Sequence, residues 1–339
     1  MRVAILHDQI TDSSRKDETD ALVQARTVAA ALEILGHEWM TLGVSLDLDV
    51  VQSALRQMQP DLCFNLVEAL GGHGRLIHVI PGLLDAMRIP YTGVSAEAQF
   101  LTSNKLTAKQ IMRGAGIPTP GWFTPGQLNE SIEITADQYI IKSVWEHASV
   151  GLDEDSIVDV ANAPDPRLRL RAALETRLEQ LGGNAFAERY IDGREFNLAL
   201  LTTGAEGTPE ILPPAEIIFD GYAADKPKVV GWRAKWEEDS FEYHHTPRRY
   251  DFPAADAPLV DAMKSIAHQC WRAFDLRGYV RVDFRVDRDN RPWVLEINTN
   301  PCLSPDAGFA AALQRAAIPL ERTIERIISD AVPARFARV

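Results

Sequence analysis

The stretch GYVRVDFRVDRDNRPWVLEINTNPCLS, from Gly278 to Ser304, constrains the fold of this chain more than any other. It reads as two strands joined by a polar turn at Asp287-Arg288-Asp289-Asn290. Side chains two apart on a strand share a face. Val280, Val282 and Phe284 therefore form one apolar row, with Arg281 and Asp283 on the other side. On the second strand Glu296 and Asn298 share a face, and Leu295 and Ile297 are expected to fill the opposite one. Pairing the strands gathers Asp283, Glu296, Asn298 and Arg281 on one surface. Three hard oxygen ligands beside a guanidinium suit a magnesium ion carrying phosphate. A solvated sheet face with an Arg–carboxylate pair is the competing reading of the same residues.

Around this hairpin the chain changes character along its length. Residues 1–100 alternate strand and helix: Val3–Leu6, Trp39–Val44 and Leu62–Val67 read as strands, with helices over 22–32, 51–58 and 76–87. That alternation predicts a parallel sheet covered by helices. The first strand ends in His7-Asp8-Gln9 without glycines, and no GxxxxGK[ST] occurs, so neither a Rossmann fingerprint nor a P-loop is present. From Lys105 a helix runs to Gly114–Gly116, with Thr102 or Ser103 as its expected cap. Gln138–Lys142 and Ser156–Val160 read as strands, and Pro166–Gln180 as a helix. Beyond Ala185 the chain turns mostly to strands, with a long polar loop over 231–247, a helix over 259–274 and a final helical region over 307–331. The expected class is α/β at the N-terminus and α+β beyond, in three units at 1–100, 101–186 and 187–339.

A chain of 339 residues, 46% hydrophobic and 24% charged, can bury the cores such units need. The formal charge of −13 argues against a nucleic-acid partner, which wants a basic face. No apolar run approaches the ~20 residues of a membrane span. Cys63, Cys270 and Cys302 show no CxxC spacing and imply neither a disulfide framework nor a zinc site. A cytoplasmic enzyme is the expectation.

Four further elements carry candidate chemistry. Lys105 lies near a helix start, where free N–H groups favour an anion. Lys142 ends a strand and precedes Ser143–Gly151, a loop of small residues whose backbone N–H groups suit phosphate. Glu188-Arg189-Tyr190-Ile191 closes another strand, and Glu195 follows a turn at Asp192-Gly193. Lys235 sits between Trp232 and Trp236 in the polar loop. Taken singly, each lysine or glutamate reads as a solvated side chain; their order and spacing carry the weight.

That order resembles the ATP-grasp superfamily and, within it, the D-alanine–D-alanine ligases. The segments that match are SNKLTAKQIMRGAGIPTP, IIKSVWEHASVGL, FAERYIDGREFNLALL, the Gly278–Ser304 stretch and PYTG at 90–93, which together span nearly the whole chain. The resemblance implies a three-domain ATP-grasp architecture. It implies that Lys105 and Lys142 hold the nucleotide phosphates, Glu188 and Ile191 the adenine, and Glu195 the ribose. It makes Arg281, Lys235 and Ser149 the catalytic set, and Asp283, Glu296 and Asn298 the ligands of two magnesium ions, which manganese could replace. The implied reaction is ATP-dependent joining of a carboxylate to an amine through an acyl phosphate, releasing ADP and phosphate. Phosphorylation gives the carboxylate a good leaving group, and phosphoryl transfer needs positioning and charge neutralisation more than a protein nucleophile. A homodimer would fit the resemblance.

Departures from the ligase pattern fall on the amino-acid side. The phosphate loop carries Ala148-Ser149 where the ligases carry two serines, and Trp236 follows Lys235 where they carry tyrosine. The segment bearing the glutamate that holds the first D-alanine's amine is replaced by HDQITDSSRKDETD, where Asp17 or Glu18 could substitute. Cys302 replaces glycine after Asn-Pro; its backbone donor survives, and no histidine base is placed to make it a nucleophile. These changes point to amino acids or a small peptide other than D-alanine as substrates. Trp145, Trp232, Trp236, Arg248 and Arg249 are candidates to shape the pocket, with Glu68 and His73 as candidates to hold an amine or a carboxylate. Two alternatives stand beside this reading: a true D-alanine–D-alanine ligase, and a non-catalytic ATP-binding regulatory protein.

Overall fold

The computed structural model describes residues 1–10, 16–130, 132–145, 151–203, 208–223 and 226–332. At the N-terminus β1 (Arg2–Asp8), α1 (Lys16–Ile34), β2 (Glu38–Val44), α2 (Leu48–Met58) and β3 (Leu62–Asn65) build a parallel sheet in the order β2-β1-β3. Val3 to His7 of β1 are buried in unbroken sequence, as a strand covered on both faces must be. Then α3 (Val79–Met87) leads to Tyr91, which adds a parallel bridge to Cys63 at the sheet's edge.

Two helices follow, α4 (Ala96–Ser103) and α5 (Lys105–Gly114). The cap of α5 is Asn104, not Thr102 or Ser103, which end α4. The Asn104 side chain accepts from the Thr107 N–H at 2.9 Å while its own backbone is extended. The central sheet comprises β4 (Trp122–Phe123), β5 (Gln138–Ser143), β6 (Ile157–Asp159) and β7 (Ala185–Arg189), antiparallel in the order β4-β7-β5-β6. Its covering helix, α6 (Pro166–Leu178), is capped by the Asp165 side chain and starts on Pro166, whose missing N–H costs nothing there.

The last sheet is built from β8 (Arg194–Leu201), β9 (Glu210–Ile211), β10 (Ala215–Ile217), β11 (Arg248–Arg249), β12 (Tyr279–Val286) and β13 (Pro292–Asn298). Its order is β11-β10-β8-β12-β13, with β9 on the edge of β8. The segment expected to be one polar loop contains α7 (Trp232–Trp236) and α8 (Phe241–His244). Beyond it α9 (Ala257–Ala273) buries Leu259, Met263, Ile266 and Cys270 against the sheet. The final helical region is two helices, α10 (Gly308–Arg315) and α11 (Leu320–Ala331), broken where Ala317 takes φ +55° ahead of Pro319.

The Gly278–Ser304 hairpin forms with one departure. Its register shifts between Asp283 and Phe284, so that Asp283 faces Glu296 while Phe284 faces Val294. Leu295 is the extra residue of a β-bulge. Val294 takes the core position expected of Leu295, and Leu295 turns to the cavity beside Glu296.

One core joins both ends of the chain: Val3, Ile5, Val28 and Leu32 pack with Leu201, Tyr279, Phe309 and Ile327. At that seam Gly93 (φ +87°) meets Gly278 (φ +71°), where a Cβ on Gly278 would lie 3.1 Å from the Gly93 Cα. The backbones approach so closely because neither position carries a side chain. The central sheet has its own core of Tyr139, Ile141, Leu170, Leu174 and Ala187.

Candidate active site

A cavity of about 580 Å³ is lined by residues of the central and C-terminal sheets, and its inner end reaches α1 and the segment after β3. Its floor is the strip β8–β12–β13. Register puts Asp283 between Asn197 and Glu296, and Arg281 opposite Asn298. Arg281 donates to both Asp283 oxygens, at 2.7 and 2.9 Å. Asn197 Nδ2 and Asn298 Nδ2 donate to the same carboxylate, at 2.7 and 3.0 Å. Four donors thus fix a side chain that is 6% exposed. Burial works against the Arg281 charge, and Asp283 and then Glu296 more than restore it. Glu296, more open, has Lys105 Nζ 3.6 Å away.

Among the described residues no three His, Cys, Asp or Glu side chains converge as a metal cluster. The candidate set is two carboxylates and a carboxamide, Asp283, Glu296 and Asn298. An all-oxygen set without thiolate or imidazole suits magnesium, which keeps coordination positions for water and phosphate.

The opposite wall belongs to the central sheet. Lys142 leaves β5 and donates to Glu188 Oε1 on β7 at 2.7 Å. Glu188 is 1% exposed and Lys109 is fully buried, with Lys109 Nζ 2.5 Å from Glu188 Oε2. Burial alone would raise the Glu188 carboxyl; Lys109 and Lys142 together hold it below its usual range. Burial likewise brings Lys109 down to about 8, with Glu188 opposing the drop. The ends are tied together where the Lys105 N–H at the start of α5 donates to Val144 O after β5, at 3.0 Å.

Ile191 and Glu195 line the cavity where the chain passes from β7 to β8. Arg285 lies 2.9 Å from Glu195 and also donates to Gly193 O at 3.1 Å and to Lys228 O. Burial raises the Glu195 carboxyl and Arg285 opposes it. Lys235 reaches the cavity from α7; burial and then the Arg281 charge lower its ammonium, with Glu296 and Asp283 opposing.

The structure therefore gathers Lys105, Lys142, Glu188, Ile191 and Glu195 around one cavity. Lys235, Arg281, Asp283, Glu296 and Asn298 line it too. Ser149 lies outside the described residues, as do Ala148 and the side chains of Asp17 and Glu18. Of the pocket candidates, Trp236, Arg248 and Glu68 line the cavity. Trp145 packs with Trp122 and Phe186, and Arg249 turns to Glu216 instead. His73 is exposed and forms a bridge with Leu70. On α8 and just after it, His245 stacks on Phe241, ring centroids 4.0 Å apart, and His244 meets Tyr243 edge-on. Cys302 Sγ donates to Asp20 Oδ2 at 3.0 Å. Burial, with Glu68 and Asp20 nearby, pushes that thiol well above its ordinary value, so it stays protonated.

Sequence reasoning missed Lys109, Asn197, Arg285, Asp20 and Gln24. Lys109, Asn197 and Arg285 follow from a period already in use, whereas Asp20 and Gln24, paired with each other on α1, had no such anchor. Lys109 is one helical turn from Lys105; Gln24 is one turn from Asp20; Asn197 and Arg285 are two along a strand from Glu195 and Asp283.

The family pattern described as D-ala D-ala ligase C-terminus matches residues 136–329. An uncharacterized protein of Sinorhizobium fredii is 31% identical over 314 residues, covering 91% of this chain and 87% of its own. The D-alanine–D-alanine ligase of Gloeobacter violaceus is 29% identical over 335 residues, covering 97% and 98%. Among solved structures, the D-alanine–D-alanine ligase of Bacillus anthracis complexed with ATP has TM-score 0.70 at 20% identity, covering 98% of this chain and 97% of that one. D-alanyl-alanine synthetase A of Vibrio cholerae has TM-score 0.73 at 15% identity, covering 98% of each. Architecture and relatives converge on an ATP-grasp enzyme that forms an amide bond between a carboxylate and an amine. A non-catalytic role is not favoured. Within that class, the chain belongs to the D-alanine–D-alanine ligase family. Among the described residues no helix is long and apolar enough to cross a membrane.

Proposed function

We propose that the chain activates an amino acid or short peptide other than D-alanine as an acyl phosphate and joins it to an amine, in the cytoplasm and with small-molecule partners. The observation that carries this reading is the convergence of Lys105, Lys142, Lys235 and Arg281 on one cavity above Asp283, Glu296 and Asn298. A chain of formal charge −13 concentrates cations where a polyphosphate would lie. Lys105 and Lys142 hold the nucleotide phosphates. Ile191 packs on the adenine, and Glu195 takes the ribose. Glu188, with both oxygens held by lysines, serves the nucleotide by fixing Lys142 and by its backbone. Arg281 and Lys235, with Ser149, act on the phosphate being transferred. Asp283, Glu296 and Asn298 would hold two magnesium ions, or manganese, whose charge neutralises the phosphate oxygens. Residues 1–100, 101–186 and 187–339 are its three units, the first and last packed on one shared core, and the assembly is a homodimer.

The test is phosphate release from ATP and magnesium with amino-acid pairs and dipeptides supplied in turn. Release should depend on both a carboxylate and an amine, and Glu296→Gln should lower it at least about 100-fold. Rapid dipeptide formation from D-alanine alone would overturn the substrate assignment. Intact release in Glu296→Gln would overturn the metal site.

A further inference from the structure

Glu68 lines the same cavity and has no part in the phosphate chemistry above. It follows β3, and the Asp8 carboxylate accepts from its backbone N–H and from that of Ala69, each at 3.1 Å. Those bonds fix where the side chain leaves the chain. Its Oε1 accepts from Gln24 Nε2 at 2.9 Å. Among the described residues its Oε2 accepts no hydrogen bond.

The same Gln24 Nε2 reaches Asp20 Oδ2 at 3.2 Å, so one amide brings the two carboxylates together. Asp20 is committed on both oxygens, to Cys302 Sγ at 3.0 Å and Ser304 Oγ at 2.7 Å. Of the two carboxylates, Glu68 is the one with an oxygen to spare among the described residues. Burial pushes its carboxyl up to about 7; the Gln24 hydrogen bond opposes the rise, the Asp8 and Asp20 charges add to it, and Arg281 opposes it. Tyr279 on β12 and Cys302 after β13 also face it, both protonated. Arg281 ties this end of the cavity to the phosphate site, since it feels Glu68 and binds Asp283.

An amine that attacks an acyl phosphate must first lose a proton, because an ammonium has no lone pair. Resting on the ligase reading, we propose that Glu68 is the general base of amide formation, taking a proton from a protonated primary amine bound at the Asp20 end of the cavity. The ammonium passes one proton to Glu68 Oε2. The neutral nitrogen attacks the acyl carbon, forming the C–N bond. The C–O bond to phosphate breaks, and phosphate leaves with the bonding pair and the second nitrogen proton. Glu68 then returns its proton to solvent.

Hydroxylamine separates this role from others, since it is unprotonated near neutral pH and attacks acyl phosphates without a base. The full-length protein is given ATP, magnesium and each common amino acid as carboxylate. Hydroxylamine or a second amino acid serves as nucleophile. Glu68→Gln should lower amide formation about 10²- to 10⁴-fold and leave hydroxamate formation within about threefold of the parent. The amide rate of the parent should rise through a limb near pH 7 that Glu68→Gln lacks. Equal loss in both arms, with the thermal shift by magnesium-ATP retained, would assign Glu68 to holding the acyl donor and overturn the proposal. Undiminished amide formation would overturn it too. Hydroxamate formation by the parent with none of the carboxylates would remove the ligase reading itself, and this proposal with it. Should Glu68→Gln not fold, Glu68→Asp, which keeps a carboxylate set back by one methylene, should slow only the amide arm and keep the pH limb; loss of both arms there would sink the idea.

Discussion

Lys109 is completely buried and keeps its charge only because Glu188 Oε2 lies 2.5 Å away. Its ammonium also donates to Thr119 Oγ1, which in turn donates to Val294 O next to the Leu295 bulge. Replacing Lys109 with Met leaves Glu188 to Lys142 alone. We expect a loss of roughly 3–4 kcal/mol in urea unfolding, the lower part of the range for breaking a buried pair, and weaker ATP binding through a displaced Lys142. Unchanged stability would mean that the triad contributes nothing. Glu68 makes a second prediction, with its sign set by linkage. Its carboxyl is raised from 4.5 to about 7 on folding, so the folded chain binds more protons between those values. The stability it contributes is complete below about pH 4 and lost as pH rises through 7. Glu68→Gln has no charge to bury, so between pH 5 and 8 it should lose about 1–3 kcal/mol less than the parent. At this scale the sequence identified residues that repeat a known pattern and passed over their neighbours at the same period. The pairing Lys109–Glu188 joins positions 79 apart, and no local signal specifies it.

The segment between β10 and β11 shows what local reading loses at the scale of elements. Its five- and four-residue helices, α7 and α8, are too short for propensity to decide. Tertiary contacts hold them: Ser240 caps α8, and Lys226 bridges Glu242 at 2.8 Å and Glu154 at 2.9 Å. The Trp232 N–H donates to Leu152 O at 3.2 Å, clasping this segment to the central sheet's domain. A Cβ on Gly231 would stand 2.5 Å from that carbonyl. Gly231→Ala should therefore lift the segment and admit water to the acyl phosphate. The fraction of ATP consumed without amide formation should rise several-fold, with little change in melting temperature. Normal coupling would show that the clasp does not govern closure. The long elements were legible because their apolar periods repeat, as in α9 and β12; the bulge was not, since Val294, Leu295 and Ile297 are equally apolar.

For the whole molecule, a ligand bound between domains stabilises them jointly. Magnesium-ATP at about 100 times its Kd should add about 2.7 kcal/mol, raising the melting temperature by roughly 4 °C. Chelation should remove most of that gain, and Asp283→Asn should be insensitive to the metal. A shift that survives both would place the nucleotide elsewhere. The three-sheet plan was readable because each part has its own pattern: strand–helix alternation first, then antiparallel strands. How the parts share cores was not readable. Val3 and Ile327 stand at opposite ends of the chain and meet in one interior.

That shared interior divides the labour of motion. The first and last parts are fused by a common core and by the glycine seam at 93 and 278, with Arg277 Nε donating to Gly93 O at 2.6 Å. The central sheet has a core of its own, so its displacement would leave the other two parts packed together. Asp20, Glu68 and Arg281 all stand on the fused side, whereas Lys142 and Glu188 belong to the central sheet. On the proposed reading the nucleotide would touch both pieces, and the amino acid mainly the fused one. On that reading, acceptance of new substrates would be set by residues of the fused part, and the timing of turnover by the approach of the central sheet.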